Sequence, residues 1–267
     1  MAKETLVQID DTLKYYLTLI KSPSLSRFSG HSHNLYELIY FESGDATYVV
    51  EDKKYKLRSG DLIITRPSKY HFIRMDSQTD YERHNILFDH KRLGLDMRAL
   101  PEWLDVINLE RGGVIDEIFK KFSFYAERFS ETDFCDIAKL LIQEIIYNLS
   151  LAEEGEKNRF SVLSPILSQA LGYIEKNLFT IKDISEVAGA VFVTDSYLFR
   201  LFKRELFKSP KKYITEKRLL AAQKLIRKGK TPTEAAEACG FDDYTTFYRN
   251  YVELFEKKPS EETGKKK

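Results

Sequence analysis

A pattern written twice in the C-terminal part constrains the fold of this chain more than any other feature. In the first copy Ile184, Val187 and Ala188 make a short apolar stripe, and Gly189-Ala190-Val191-Phe192-Val193 reads as a turn. Thr194 then opens a helix, because its hydroxyl can satisfy a free amide there. Leu198, Leu201 and Phe202 recur on one face of that helix, with Ser196, Arg200 and Lys203 opposite and Phe199 at the flank. In the second copy Thr231-Pro232 begins a helix with small apolar positions at Ala235, Ala236 and Cys239. Gly240 takes the tight turn, and Asp242 or Asp243 caps the next helix. Its inward stripe is Phe247, Tyr251, Leu254 and Phe255; Thr245, Tyr248, Arg249 and Val252 face outward.

Between the copies, Ser209-Pro210 caps a helix that runs to about Lys228, where Gly229 ends it. Some twenty residues at 1.5 Å each span roughly 30 Å, close to the ~34 Å of one DNA turn. Two helix-turn-helix units on a stiff rod of that length predict two contacts with a repeating ligand, and duplex DNA is the usual one. The expected arrangement places two recognition helices in adjacent major grooves.

The strings TDSYLFRLFKRE, SPKKYITEKRLLAAQKLI and EAAEACGFDDYTTFYRNY resemble the AraC/XylS family of transcription regulators over Ile166 to Glu262. In that family the second helix of each unit reads DNA. By position this implies Ser196, Phe199 and Arg200 in the first unit, and Tyr244, Thr245, Thr246, Tyr248 and Arg249 in the second. The resemblance also implies contact with RNA polymerase and activation. The chain departs from the family where glycine is usual, at Phe207 and Glu256, and carries Tyr251-Val252-Glu253 where the family has Phe-Lys-Lys. Arg200 and Arg249 are the expected readers of base edges, since a guanidinium can hold guanine through two hydrogen bonds. Phe199 either touches a thymine methyl or packs. Lys203, Arg204, Lys208, Lys211 and Lys217 lie near these helices and are expected to include phosphate contacts. Arg218 matches a family position on the connector and is expected to pair with a nearby acid rather than with DNA.

Charge agrees with this division. The formal net charge is only +1, but residues 163–267 carry 20 Lys and Arg against 14 Asp and Glu, whereas residues 1–162 carry 22 against 27. The mildly basic half is the one expected to meet a polyanion. No apolar run approaches a membrane span, and residues 1–20 hold Glu4, Asp10 and Asp11 rather than a cleavable apolar segment. Two cysteines, Cys135 and Cys239, give no metal spacing and suit a reducing cytoplasm.

Residues 12–90 alternate as short strands, beginning with Tyr15–Ile20 and continuing through 35–41, 46–50, 55–57, 62–65, 71–75 and 84–88. Such spacing suggests a sandwich or small barrel. Gly30-His31-Ser32-His33, Glu37, Gly44, Ser59-Gly60-Asp61-Leu62, Pro67 and His71 resemble the small cupin barrel that such regulators use as a sensor. His31 and His33 are read as sharing a strand face. With Glu37 and His71 they form a set that holds a divalent metal in enzymatic cupins. Regulator cupins keep the pattern without metal, so the alternatives are a metal held by His31, His33, Glu37 and His71, a small polar effector oriented by these residues and Tyr48, or side chains that bond to one another; no cofactor is expected. Tyr36, Tyr40 and Tyr48 either line a pocket or fill core.

Residues 94–151 read as helical: a short piece at Trp103–Leu109, then Ile115–Phe129, then Phe134–Leu151 capped by Thr132. Phe134, Ile137, Ala138, Leu141, Ile145 and Leu149 form a stripe that either packs on the barrel or also makes a homodimer through 133–150. The expected fold is α+β: a cupin-like sensor and dimerisation domain over 1–155, a linker over 156–162, an all-α DNA-binding domain over 163–262 and a disordered tail over 263–267. The expected function is a cytoplasmic, sequence-specific DNA-binding regulator, probed against two other classes, a metal-dependent cupin enzyme with a helical appendage and a DNA-free adaptor.

Overall fold

The computed structural model describes residues 2–9, 12–23, 30–109, 112–153 and 160–262. The predicted tail 263–267 and the stretch 156–159 of the predicted linker lie outside the described residues. The chain divides into two compact units, one of residues 1–29 and 35–161, the other of residues 30–34 and 162–267. Among the described residues no helix is long and apolar enough to cross a membrane.

The first unit is built on antiparallel strands β1 (Ala2–Ile9), β2 (Leu13–Ile20), β3 (Tyr36–Ser43), β4 (Ala46–Val50), β5 (Lys53–Lys56), β6 (Asp61–Thr65), β7 (His71–Met75), β8 (Tyr81–Phe88) and β9 (Val106–Asn108). One sheet runs β1-β2-β8-β3-β6-β9; the other carries β5, β4 and β7 side by side. Which face each side chain takes follows from a strand period of two. On β3, Leu38 and Tyr40 pack toward the helices α1 (Val114–Ala126) and α2 (Glu131–Leu149), while Ile39 and Phe41 point between the sheets. On β6, Leu62 and Ile64 take the helix side and Ile63 the inter-sheet side. Strands buried on both faces read as unbroken apolar runs, which is why their sequence shows no polar alternation.

Three expectations are corrected here. A strand, β1, precedes the expected first one and pairs with it from Ala2↔Ile20 to Ile9↔Leu13. Trp103–Leu109 contributes a strand rather than a helix: Val106 and Ile107 are β-branched, and β9 satisfies the otherwise open edge of β6 through Asp61↔Asn108 to Ile63↔Val106. The cap of α2 is Ser130, whose hydroxyl accepts from Asp133 N at 3.2 Å; Thr132 sits inside the first turn, too late to reach an open amide three residues on.

The second unit contains α3 (Pro165–Asn177), α4 (Ile184–Ala190), α5 (Asp195–Glu205), α6 (Pro210–Arg227), α7 (Pro232–Ala238) and α8 (Tyr244–Phe255). Thr194, Ser209, Thr231 and Asp243 cap α5, α6, α7 and α8 through their side chains, as their sequence positions predict. Asp243 takes the α8 cap, accepting from Thr245 N and Thr246 N, and Asp242 pairs with Lys182 instead. Leu219, Ala222 and Ile226 of α6 pack with Ala235, Ala236, Cys239, Phe247 and Tyr251, so the connector is part of the second core. Leu254 and Phe255 are only half-buried at its margin.

The junction of sheet and helix in the first unit is polar at one point. Asp116, 2% exposed, accepts from Tyr40 Oη at 2.5 Å and from Gly112 N at 2.9 Å, and pairs with Lys120 Nζ at 2.9 Å. Burial pushes its pKa upward, but these donors outweigh burial and hold it down to about 2, against an ordinary 3.8. The unfolded chain therefore takes up a proton first as pH falls. This contact should contribute about 2 kcal/mol above pH 4 and lose it as pH falls through 2. Urea unfolding between pH 5 and pH 2 should show that loss in the wild type and not in Asp116→Asn.

Candidate DNA interface and barrel interior

The outer faces of α5 and α8 follow from what their inner faces bury. Leu198, Leu201 and Phe202 are at most 2% exposed, and Phe247 and Tyr251 are fully buried. Side chains three and four residues apart share a helix face, so the residues about half a turn from these buried ones point outward. Ser196, Phe199, Arg200, Lys203 and Arg204 on α5 are all exposed, as are Tyr244, Thr245, Thr246, Tyr248 and Arg249 on α8. Val252 is half-buried, so the open stripe of α8 ends near Arg249. Lys203 Nζ lies 5.7 Å from the Phe199 ring centroid, and Arg204 pairs with Glu205 at 2.8 Å. A groove of about 620 Å³ runs beside α6 and α8, lined by Lys211, Lys212 and Arg249 together with Asp243 and Glu253.

Two expected roles are revised by the geometry. Lys208 is 9% exposed, paired with Glu216 and donating to Gly30 O at 3.2 Å, so it is no surface cation awaiting a phosphate. Lys211 remains exposed, and Lys217 leans over the Tyr213 ring at 5.5 Å. Arg218 is structural, but its partners are carbonyls rather than an acid. Its guanidinium donates to Leu178 O at 2.8 Å, Ile181 O at 2.5 Å and Gly240 O at 2.9 Å. Burial draws its pKa below the usual arginine value, opposed by the charges of Asp242, Cys239 and Glu186. The sequence showed an arginine on a connector; it could not show that three helix-end carbonyls converge there.

The glycine positions supply a second constraint. Gly240 has φ +76°, and a Cβ there would lie 2.2 Å from Phe179 O. Phe207 and Glu256, which stand where the resemblance leads one to expect glycine, adopt φ +57° and φ +54°. The left-handed turn is kept while the residue suited to it is not.

In the barrel, Glu37 and His71 face each other between the sheets, 3% and 2% exposed. His71 Nδ1 faces Lys69 O at 2.9 Å, and a carbonyl only accepts, so that nitrogen carries hydrogen. Nε2 lies 2.8 Å from Glu37 Oε2, a contact that needs a further proton shared by the pair. Asn85 Nδ2 donates to Glu37 Oε1 at 2.7 Å, and Asn85 Oδ1 is buried with no hydrogen-bond partner among the described residues. Tyr48, fully buried, bonds Thr65 Oγ1 at 2.7 Å. Tyr40 and Tyr48 are core; Tyr36 is half-buried, stacked on Phe88 at 5.7 Å. His31 and His33 do not share a strand: the chain around them forms only an isolated bridge at His31. Both lie in the 30–34 segment counted with the helical unit, their ring centroids 5.5 Å apart. A cleft of about 360 Å³ in the first unit is lined by Tyr36, Arg66, Met97, Arg98, Leu100 and Glu102, none of them among the expected effector residues; Tyr36 is one of the three tyrosines expected either to line a pocket or to fill core.

A helical unit that presents two capped helices with open faces has the form of a tandem helix-turn-helix domain, and the family matches make the chain a DNA-binding transcription regulator. Residues 187–263 match the helix-turn-helix domain family, and residues 17–111 match the AraC-like ligand binding domain family. The lactose operon transcription activator of Staphylococcus xylosus is 27% identical over 82% of this chain and 80% of its own length. The HTH-type transcriptional activator RhaR of Cronobacter sakazakii is 23% identical over 82% of this chain and 81% of its own. A solved structure of ToxT from Vibrio cholerae aligns over 94% of this chain and 97% of that one, at 12% identity and a TM-score of 0.39. The chain belongs to the AraC/XylS family of transcription regulators.

Arg218→Ala should cost about 3 kcal/mol in urea unfolding, because three buried carbonyls lose a charged donor at once. Arg218→Lys should recover little of it, since one ammonium cannot span the same three acceptors.

Proposed function

We propose that this regulator activates transcription by seating α5 and α8 in adjacent major grooves, in response to a small polar effector in the barrel interior. The observation that carries the reading is the pair of open faces: every candidate reading side chain is exposed, while the residues behind each are buried. The 18 residues of α6 span about 27 Å, a stiff spacer that covers most of the ~34 Å between neighbouring grooves. Arg200 and Arg249 are assigned to base edges. Ser196, Tyr244, Thr245, Thr246 and Tyr248 are assigned to flanking bases and backbone. Lys203, Arg204 and Lys211 are assigned to phosphates, and Phe199, beneath Lys203, supplies an apolar contact.

For the effector, Asn85 Oδ1 offers an open buried acceptor beside the Glu37–His71 pair, which favours a ligand with a hydrogen-bond donor. Activation is favoured by the two relatives described above, a lactose operon transcription activator and the transcriptional activator RhaR. Contact with RNA polymerase follows the same analogy. Action in the cytoplasm, with no catalysis of its own, follows from the role. A homodimer would use the outer side of α2. The stripe once available to it, from Phe134 to Leu149, is spent on the unit's own core, whereas Leu140 and Tyr147, seven residues apart, are 70% and 54% exposed.

Arg249→Ala should weaken binding to a duplex selected by the wild-type protein by about 1–3 kcal/mol and relax preference at one base pair, read by mobility shift on single-base variants. Lys203→Ala should weaken binding to all of them alike and lower the salt slope by about one. Leu140→Glu should lower the sedimentation coefficient of the full chain from dimer to monomer at micromolar concentration; an unchanged value would remove α2 from the interface.

A further inference from the structure

Among the described residues of this unit, the ends of α4, α6 and α7 share one design. After α7, Gly240 N donates to Glu237 O and Phe241 N to Ala236 O, at 3.0 and 3.1 Å, with Gly240 at φ +76°. After α6, Gly229 N donates to Ile226 O and Lys230 N to Leu225 O, with Gly229 at φ +99°. After α4, Phe192 N donates to Gly189 O and Val193 N to Ala188 O, at 3.1 and 3.0 Å. This is the Schellman pattern in all three, which requires a left-handed residue just past the cap. Two of the three use glycine. The third uses Phe192, at φ +56°, although Gly189 stands three residues before it within the helix.

Nothing in the fold repays that choice. A side chain in the left-handed region carries steric strain that glycine lacks. Burial could offset it, but Phe192 is 94% exposed, the most open large apolar side chain among the described residues. At the matching turn of the second unit, a Cβ on Gly240 would strike Phe179 O, so the two turns differ in surroundings as well as in residue. What Phe192 does have is position. It precedes Thr194, the cap of α5, by two residues, and the N-terminal end of a reading helix is the end that meets base edges.

Building on the DNA-binding role, we propose that Phe192 is a specificity residue. Its ring leads α5 toward the groove and makes an apolar contact with the C5-methyl of a thymine at the margin of the first half-site. A thymine methyl is the apolar feature of the major groove, and Phe is among the side chains that read it. The strain and exposure are then costs to the free protein that the complex offsets.

The test uses the full chain and a duplex enriched by the wild-type protein from a random-sequence pool. Each thymine of that duplex is exchanged singly for deoxyuracil, which removes only the methyl. Phe192→Gly should raise Tm by about 3 °C, as expected for relief of a small strain in a chain of this size, and weaken binding about fivefold. At one position the thymine-to-deoxyuracil exchange should weaken wild-type binding by a similar factor and leave Phe192→Gly binding unchanged. Phe192→Leu, which keeps an apolar group, should retain part of that sensitivity. The proposal is overturned if Phe192→Gly binds as the wild type does, or if it weakens binding with no exchange coupled to it. It is equally overturned if full DNA affinity is kept while promoter activation is lost, which would assign the ring to a protein partner. A pool from which the wild type enriches nothing would instead refute the DNA-binding role on which the proposal rests.

Discussion

The DNA-binding unit depends on one guanidinium. Arg218, in the middle of the connector helix, collects carbonyls from the end of the α3 region, from the approach to α4 and from the turn between α7 and α8. Chain ends of helices leave carbonyls without partners, and burying several together is costly unless a charged, forked donor reaches them all. Arginine has the reach and geometry; lysine does not. Two of those carbonyls come from the segment between α3 and α4 and one from the turn between α7 and α8, so the bond set ties the second helix-turn-helix to the approach to the first. Gly240 completes the joint, since its missing Cβ lets the chain pass close to Phe179 O.

The β unit solves a different problem. Its central strands are covered on both sides, one face by α1 and α2 and the other by the second sheet. Polar groups on such strands need partners inside the protein. Asp116 finds three donors at the helix junction, and Glu37 finds His71 and Asn85 between the sheets. Among the described residues Asn85 Oδ1 is buried there with no hydrogen-bond partner, and an unsatisfied buried acceptor is a natural place for a ligand's donor.

Backbone conformation and side-chain identity separate at three places in the helical unit. Phe192, Phe207 and Glu256 all hold left-handed backbone that glycine would adopt at lower cost. The turn survives because its hydrogen bonds and the packing on either side over-determine it. Residues that break a local preference without burial to offset it direct attention to what they touch outside the chain.

Much of the helical unit was legible in the chain itself. Caps at Thr194, Ser209 and Thr231 and the glycine ends at 229 and 240 are local rules, acting over three or four residues, so they appear in sequence with little help from the fold. The inward stripes and the exposed faces of α5 and α8 follow from helical spacing in the same way. Tertiary structure decided the rest. Val106–Asn108 is a strand because β6 needed an edge partner, a pairing across forty residues that no window reveals. Lys208 is buried and Arg218 meets carbonyls because distant backbone converges on them, and a charge written in sequence carries no record of its surroundings. Glu37, His71 and Asn85 come from three separate strands, brought side by side only by the order of the sheets. Local chemistry thus determined the helices of the second unit and which sides they bury, while long-range pairing, which no short stretch encodes, placed β9 and decided which polar groups meet.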